Sequence, residues 1–249
     1  MKKILLSIAV MSISIVSMAQ DVTVETILDN YFEAIGGRDA WNELEGHVMK
    51  ASVDNQGMEI PLEIYAMKDG RSITNISVMG MELSQGAFDG EVSWGTNFMS
   101  MKPELSDDET TENAKRGSGD YPDPFLNYAD KGYTVELMEK ETIDGIECFK
   151  LKLTKNPMLA DGEEVDNIGY YFFDTENYVL VYQEQEIMTG EMKGEVAVTT
   201  LSDYQEVEGL MFPFSISQGM KDGESQPLEI TEIELNPEVD EDFFSFPGE

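Results

Sequence analysis

Residues 81–98 read MELSQGAFDGEVSWGTNF, and this stretch carries a strong signal for a β-hairpin. Apolar residues on both sides of Asp89-Gly90 alternate with polar ones, as expected for strands with one buried face. A two-residue Asp-Gly loop supplies the positive φ angles that the twist of an antiparallel pair requires. We therefore predict two antiparallel strands joined by a tight type I′ turn at Asp89-Gly90.

The two-residue period continues on both sides of this hairpin, and turn signals such as Asp69-Gly70 and Asp144-Gly145 separate the segments at short intervals. The pattern predicts about eleven antiparallel strands in up-and-down order. One side of the sheet should carry the apolar set Ile60, Leu62, Ile64, Phe149, Leu151 and Leu153. The opposite side should carry the charged set Glu59, Glu63, Lys150 and Lys152.

Two parts of the chain depart from the strand pattern. Residues 24–35 place apolar side chains at helical spacing, with Asp21 or Thr23 as the N-cap and Gly36-Gly37 as the stop. A shorter helical piece with Trp41 follows.

Residues 103–132 interrupt the strands in mid-chain. We expect a surface loop in the acidic first half of this segment. In the aromatic second half we expect a short helix that begins at Pro124 and lies over the sheet.

The first 19 residues have the features of a secretory signal peptide. Lys2 and Lys3 precede an apolar run too short for a permanent membrane anchor, and the run ends at Ser17-Met18-Ala19. We expect cleavage after residue 19, a single domain over residues 20–249, and a periplasmic or secreted product that is soluble. A lipid anchor is not expected, because the cleavage region contains no cysteine.

The charge balance restricts the partners. The whole chain has a net charge of −34, and loss of the two signal-peptide lysines makes it −36. A protein this acidic is repelled by nucleic acid and by anionic lipid headgroups.

The chain contains a single cysteine, Cys148, and a single histidine, His47. It therefore lacks the residues needed for a disulfide, a Cys-His couple or a zinc site. We predict no catalytic residues, no metal and no cofactor.

Five short motifs, taken in order, resemble the LolA/LolB-like superfamily, and especially its divergent outer membrane lipoprotein-sorting members. The chain resembles these proteins in the Gly36-Gly37 helix stop followed by Trp41, and in Lys68-Asp-Gly-Arg71. Further matches are Phe88-Asp89-Gly90 with Trp94, Pro124-Phe125-Leu126, and Phe244-Ser-Phe246-Pro247-Gly248. The resemblance implies a half-open antiparallel β-barrel around an apolar cavity, with a helical lid. Arg71 is the candidate for the basic residue that holds the lid closed in the family, although its neighbours match poorly.

From this resemblance we expect an exported binder of acylated lipids or lipoproteins that interacts with membrane-associated donor or acceptor proteins. The expected cavity residues are Ile60, Leu62, Ile64, Leu83, Trp94, Phe125, Leu126, Phe149, Leu151, Leu153, Phe212 and Phe214. If Phe125 and Leu126 only cover the ligand, their truncation should weaken binding and leave the fold intact.

Two alternatives remain open from the sequence. One is a secreted acidic interaction protein that binds calcium weakly on loops such as Asp107-Asp108-Glu109, or at Asp120 and Asp123. The other is a hydrolase with paired carboxylates. The 50 acidic residues create many close pairs by chance, and a catalytic pair needs burial that these polar runs do not suggest.

Overall fold

The computed structural model describes residues 22–248, and the expected signal peptide lies outside them. Within this range the helices are α1 (Val24–Ala34), α2 (Arg38–Glu43) and α3 (Asp108–Gly117). The strands are β1 (Gly46–Asn55), β2 (Met58–Met67), β3 (Ser72–Val78), β4 (Met81–Phe88), β5 (Ser93–Asn97), β6 (Lys102–Leu105), β7 (Thr134–Leu137), β8 (Glu141–Ile143), β9 (Ile146–Ala160), β10 (Glu163–Asp174), β11 (Leu180–Glu186), β12 (Val196–Val207), β13 (Leu210–Met220) and β14 (Ser225–Leu235).

These strands form one antiparallel sheet in the order β6-β5-β4-β3-β2-β1-β14-β13-β12-β11-β10-β9-β7, with β8 paired to β9 beside β7. Within the described chain β6 and β7 do not pair, so the sheet stays open, and the predicted incomplete antiparallel barrel is confirmed. The strand number is fourteen rather than about eleven. The difference includes the short strand β6 and the division of residues 133–143 into β7 and β8.

Five hairpins use two-residue loops in which both residues have positive φ, as type I′ turns require. They lie at Gln56-Gly57, Met79-Gly80, Asp144-Gly145, Asp161-Gly162 and Glu208-Gly209.

The hairpin at Asp89-Gly90 exists, but its predicted two-residue turn is wrong. The last pair joins Phe88 to Ser93, which leaves a four-residue loop between β4 and β5. The Asp89 carboxylate accepts hydrogen bonds from the backbone N–H groups of Glu91 and Val92, both at 2.8 Å. These two bonds provide partners for backbone N–H groups of the four-residue loop and so stabilise it in place of a two-residue type I′ turn.

Strand register divides the sheet into two faces. The inner face carries Leu62 together with Phe149, Leu151 and Leu153, which belong to the main apolar core. Lys150 and Lys152 point to the outer face, where they form ion pairs with Glu141 and Glu136. The predicted phase of the alternation is therefore confirmed.

Helix α1 fills one end of the inner face. Thr23 caps it by accepting a hydrogen bond from the Thr26 N–H at 3.2 Å, and its buried stripe is Ile27, Leu28, Tyr31 and Phe32. The predicted helix is confirmed, and Thr23 rather than Asp21 is the cap. The indole of Trp41, in α2, donates to the Ile35 carbonyl at 3.0 Å and so joins the two helices.

Gly36 and Gly37 form a matched pair for testing how the helix stop packs on the sheet. Both have positive φ, but a Cβ at Gly36 would overlap the Gly209 carbonyl oxygen, whereas a Cβ at Gly37 meets open space. Gly37→Ala should lower the free energy of unfolding by about 1–2 kcal/mol, because the alanine strains the backbone. Gly36→Ala should lower it by at least about 1 kcal/mol more, because its Cβ also meets the Gly209 carbonyl; urea denaturation measures both values. Equal losses would mean that α1 does not approach the β12–β13 turn closely.

The mid-chain helix lies in a different place from the one predicted. Helix α3 occupies the acidic first half of the interruption, and Asp107 caps it by accepting from the Thr110 N–H at 2.7 Å. Acidic residues in its first turn and Lys115 and Arg116 in its last turn suit the helix dipole. The expected helix at Pro124 is absent from the described structure, and residues 124–132 instead form consecutive turns.

Candidate functional site

A row of five aliphatic side chains crosses the inner face. Direct register pairs join Ile60 to Val53, Val53 to Leu228, Leu228 to Ile216, and Ile216 to Leu201. The row spans β2, β1, β14, β13 and β12, which is about 19 Å at the usual spacing between strands. Each of these side chains is only half-buried. We call these five residues the aliphatic row.

Burial increases from the aliphatic row toward α1. The next inner-face pair below the row, Ala51 and Ile230, is 4% and 6% exposed. The inner face is thus packed at the end that α1 and α2 occupy and only partly covered around the aliphatic row. Partly exposed aliphatic surface of this extent on the inner face of an open sheet is typical of a site for an apolar ligand.

Residues 120–133, which we call the plug segment, pack on the closed end of the inner face. Phe125 is 1% exposed and Leu126 3%. The Phe125 ring lies 4.9 Å from that of Tyr171 and 5.4 Å from that of Phe173. The expectation that Phe125 and Leu126 merely cover a ligand is therefore wrong, because both side chains form part of the hydrophobic core.

Two aspartates anchor the plug segment. Asp123 accepts a 2.7 Å hydrogen bond from the Tyr31 hydroxyl, and burial raises the pKa of this carboxyl. Asp120 accepts 2.7 Å bonds from the Tyr133 hydroxyl and from the Lys155 ammonium. These bonds connect the plug segment to α1 and to β9.

His47 supplies a further contact with the plug segment, since its ring stacks on Tyr121 with Nδ1 3.1 Å from the phenol oxygen. Burial lowers the pKa of His47 to about 4.

This low pKa of His47 predicts a pH dependence of stability. Between pH 6.5 and 4 the unfolded chain binds a proton that the folded protein does not, so the free energy of unfolding decreases as the pH is lowered. When the pH is lowered from 7 to 4, the free energy of unfolding of the wild-type protein should fall by about 3 kcal/mol more than that of His47→Gln, as measured by urea denaturation. Parallel stability profiles would contradict this account.

Helix α3 spans the gap between the two ends of the sheet. On one side the Thr111 hydroxyl accepts from the Ser93 N–H at 3.2 Å. On the other side Asn113 exchanges two hydrogen bonds with the Leu159 backbone, at 2.9 and 2.8 Å. Arg116 donates to the Pro157 carbonyl and to Glu164, both at 2.9 Å. The helix has no buried residue, so its attachment is polar.

The structure separates the predicted cavity residues into three groups. Half-buried inner-face positions are Ile60, Leu62, Ile64 and Phe214. Buried side chains of the main core are Phe125, Leu126, Phe149, Leu151, Leu153 and Phe212. Leu83 is buried on the inner face opposite Ile76. The first group contains the predicted cavity residues that keep part of their side chain exposed on the inner face.

Trp94 and Arg71 lie away from the aliphatic row. Trp94 belongs to a second apolar cluster on the outer face, and its indole donates to the Phe244 carbonyl at 2.8 Å. Arg71 pairs with Asp69 at 2.8 Å and stacks 5.0 Å from the Phe244 ring centroid. Both residues contact Phe244 in the C-terminal segment that follows β14. Arg71, which was expected to hold the lid closed, therefore contacts this segment rather than the mid-chain helix α3.

Sequence reasoning missed four members of the aliphatic row and the polar anchors of α3. Val53, Leu201, Ile216 and Leu228 are ordinary strand residues, and their alignment becomes visible only with the register. Asn113 and Arg116 had a usable signal: Asp107 as a cap, acids in the first turn and bases in the last predict a helix there.

Four of the five acidic residues considered for calcium have structural partners: Asp107, Glu109, Asp120 and Asp123. Asp107 caps α3, and Glu109 accepts from the backbone N–H groups of Asp161 and Gly162. Asp120 and Asp123 anchor the plug segment. Over residues 22–248, no group of three or more His, Cys, Asp or Glu side chains is placed to bind a metal ion.

Exposed apolar side chains lie on the turns at the uncovered end of the sheet. Met79, Phe98 and Met99 are 81%, 62% and 97% exposed, on the β3–β4 and β5–β6 turns. Met192, on the β11–β12 loop, is 47% exposed at the same end. We call these four residues the apolar rim. In the described part of the chain, no helix is long and apolar enough to cross a membrane.

No family model and no curated protein matches the sequence. The structure is similar to that of a LolA superfamily protein from Nitrosomonas europaea, at TM-score 0.51 and 17% identity, covering 89% of this chain and 97% of that one. It is also similar to a DUF1329 family protein from Desulfovibrio piger, at TM-score 0.53, 13% identity and the same coverage. A lipoprotein-sorting domain from Vibrio parahaemolyticus matches at TM-score 0.48 and 11% identity, covering 84% and 93%.

The first two similarities extend over most of the chain. At these identities they establish the fold. The chain therefore has the fold of LolA-like proteins.

Proposed function

We propose that this protein is an exported carrier that binds the acyl chain of a lipid or lipoprotein along the aliphatic row. The observation that carries the proposal is the continuous row of half-buried side chains from Ile60 to Leu201 on the inner face. Each methylene removed from water there contributes about 0.8 kcal/mol. An acyl chain lying across five strands would bury much of this surface.

Over residues 22–248, the outer face offers no comparable site for an acyl chain. The cavity of about 510 Å³ on the outer face is lined by Lys50, Glu59, Glu63 and Glu82, which do not suit an acyl chain. We therefore place the ligand on the inner face. We propose a non-enzymatic function because the five side chains of the aliphatic row carry no group that could act as an acid, a base or a nucleophile. The signal-like N-terminus favours a periplasmic or secreted location.

The apolar rim suggests the route by which the ligand enters. The opposite end of the inner face is filled by α1, α2 and the plug segment, so access is from the rim. Flexible methionine side chains there suit contact with variable acyl chains during transfer from a donor to an acceptor.

The test is to purify the protein from its natural host without detergent and to analyse its organic extract by mass spectrometry. A long-chain acylated lipid or lipoprotein at near-stoichiometric amount is expected. A matched preparation of Ile216→Glu should contain much less of it, because a carboxylate in the aliphatic row is costly to cover with an acyl chain. Equal lipid in both preparations would place any binding elsewhere.

A further inference from the structure

A second cavity, of about 420 Å³, lies between α3 and the inner face of β3–β5. The strands contribute Ser72, Gln85 and Ser93, and the loop after β6 contributes Ser106. From α3 come Thr110, Ala114 and Gly117. None of the described residues that line this cavity is charged, although the chain has 50 acidic and 16 basic residues. A neutral cavity is therefore a local exception in a very acidic protein.

The cavity has polar groups free to bind a ligand. Across residues 22–248, no fully buried side-chain nitrogen or oxygen lacks a hydrogen-bonding partner. The hydroxyls of Ser72, Ser93 and Ser106 line the cavity and form no hydrogen bond within this part of the protein, so they are accessible from the cavity. The Gln85 amide uses its NH₂ group to donate to the Thr96 carbonyl at 2.6 Å. Its carbonyl oxygen remains available as an acceptor. Hydroxyls both donate and accept, so the lining matches a ligand with hydroxyls of its own.

The cavity lies on the same face of the sheet as the aliphatic row. Leu62, next to Ile60 on the inner face of β2, pairs with Ile76, and Ile76 pairs with Leu83. Gln85 follows Leu83 on the same face of β4. A ligand whose chain lies on the aliphatic row can therefore extend its other end beneath α3.

We propose that the cavity under α3 binds the uncharged, hydroxyl-bearing headgroup of the acylated ligand. The inference rests on the proposed function and specifies its substrate class: a neutral glyceryl or sugar headgroup in preference to an anionic one. A carboxylate or phosphate would lose water in a cavity that offers no positive charge, whereas a neutral hydroxyl group exchanges water for the serine hydroxyls and the Gln85 carbonyl at little cost.

The experiment compares ligands with one acyl chain and different headgroups. Palmitic acid, its glycerol monoester and the alkyl glucoside of the same chain length compete against a solvatochromic acyl probe. We expect the neutral ligands to compete at concentrations about tenfold lower than palmitate. Two or three hydrogen bonds between the headgroup and the cavity are enough to give a difference in affinity of this size. Whichever neutral ligand competes better identifies the headgroup type. Measurements at about 1 M salt, where the screening length is about 3 Å, remove the general repulsion of anions by the acidic protein.

Two variants separate the cavity from other effects. In Ser72→Ala/Ser106→Ala the preference for neutral ligands should fall to about twofold or less while palmitate binds as before. The control Ser77→Ala removes a hydroxyl on the outer face of β3, which donates to Glu82, and should keep the wild-type preference. If palmitate and the neutral ligands compete equally at high salt, or the serine variants keep the preference, the headgroup inference is wrong and the carrier proposal stands. Absence of probe binding would instead refute the carrier proposal.

Discussion

Replacing Phe125 by alanine is expected to lower the free energy of unfolding by about 3–5 kcal/mol. The ring is almost completely buried and packs edge-on against Tyr171 and Phe173. Its removal leaves a cavity between the plug segment and β10, and the neighbouring strands cannot collapse into it without breaking their register. Urea denaturation followed by circular dichroism measures the loss.

The matched control is Phe98→Ala. Phe98 lies on the apolar rim and is 62% exposed, so its truncation should change stability by no more than about 0.5 kcal/mol. A small effect of Phe125→Ala, similar to that of Phe98→Ala, would mean that the plug segment is a surface feature and that the closed end of the inner face is built differently.

Replacing Ile216 by glutamate is expected to weaken binding of a solvatochromic acyl probe by at least about tenfold. Ile216 is the fourth of the five residues in the aliphatic row, between Leu228 and Leu201. A bound acyl chain would have to cover the new carboxylate or shift away from the row. The side chain is half-buried in the wild-type protein, so the unfolding midpoint should change much less than the affinity.

Ser217→Glu provides the matched control for this variant. It introduces the same charge at the next position of β13, on the outer face opposite Pro227. General repulsion by the acidic protein is therefore equal in the two variants, and only Ile216→Glu places charge in the aliphatic row. Equal affinities of the two variants would show that the ligand does not lie on the inner face.

Periodicity alone was enough to predict much of this fold. The alternation in β2 and β9 identified the inner face correctly, because a one-residue shift would have placed Lys150 and Lys152 inside. The helical spacing from Ile27 to Phe32 predicted α1, and the Gly36-Gly37 pair ends it as expected. These features depend on local patterns that tertiary contacts did not override.

The errors have physical causes. Trp94 alternates in phase with apolar neighbours, but the sequence cannot say that a distant C-terminal segment would cover the outer face and bury it there. Helix α3 has a cap and complementary charges but no apolar stripe, so hydrophobic periodicity could not detect it. The aliphatic row requires the pairing of five strands, including β1 with β14, which are separated in the sequence by all the other strands.

The central claim is that the inner face binds an acyl chain, and a titration of the unmodified protein with a solvatochromic acyl probe tests it most directly. The account predicts saturable binding of one or a few probe molecules per protein, with the emission shifted to the blue as the probe enters an apolar site. Failure to saturate, with emission unchanged from that in buffer, would contradict the claim.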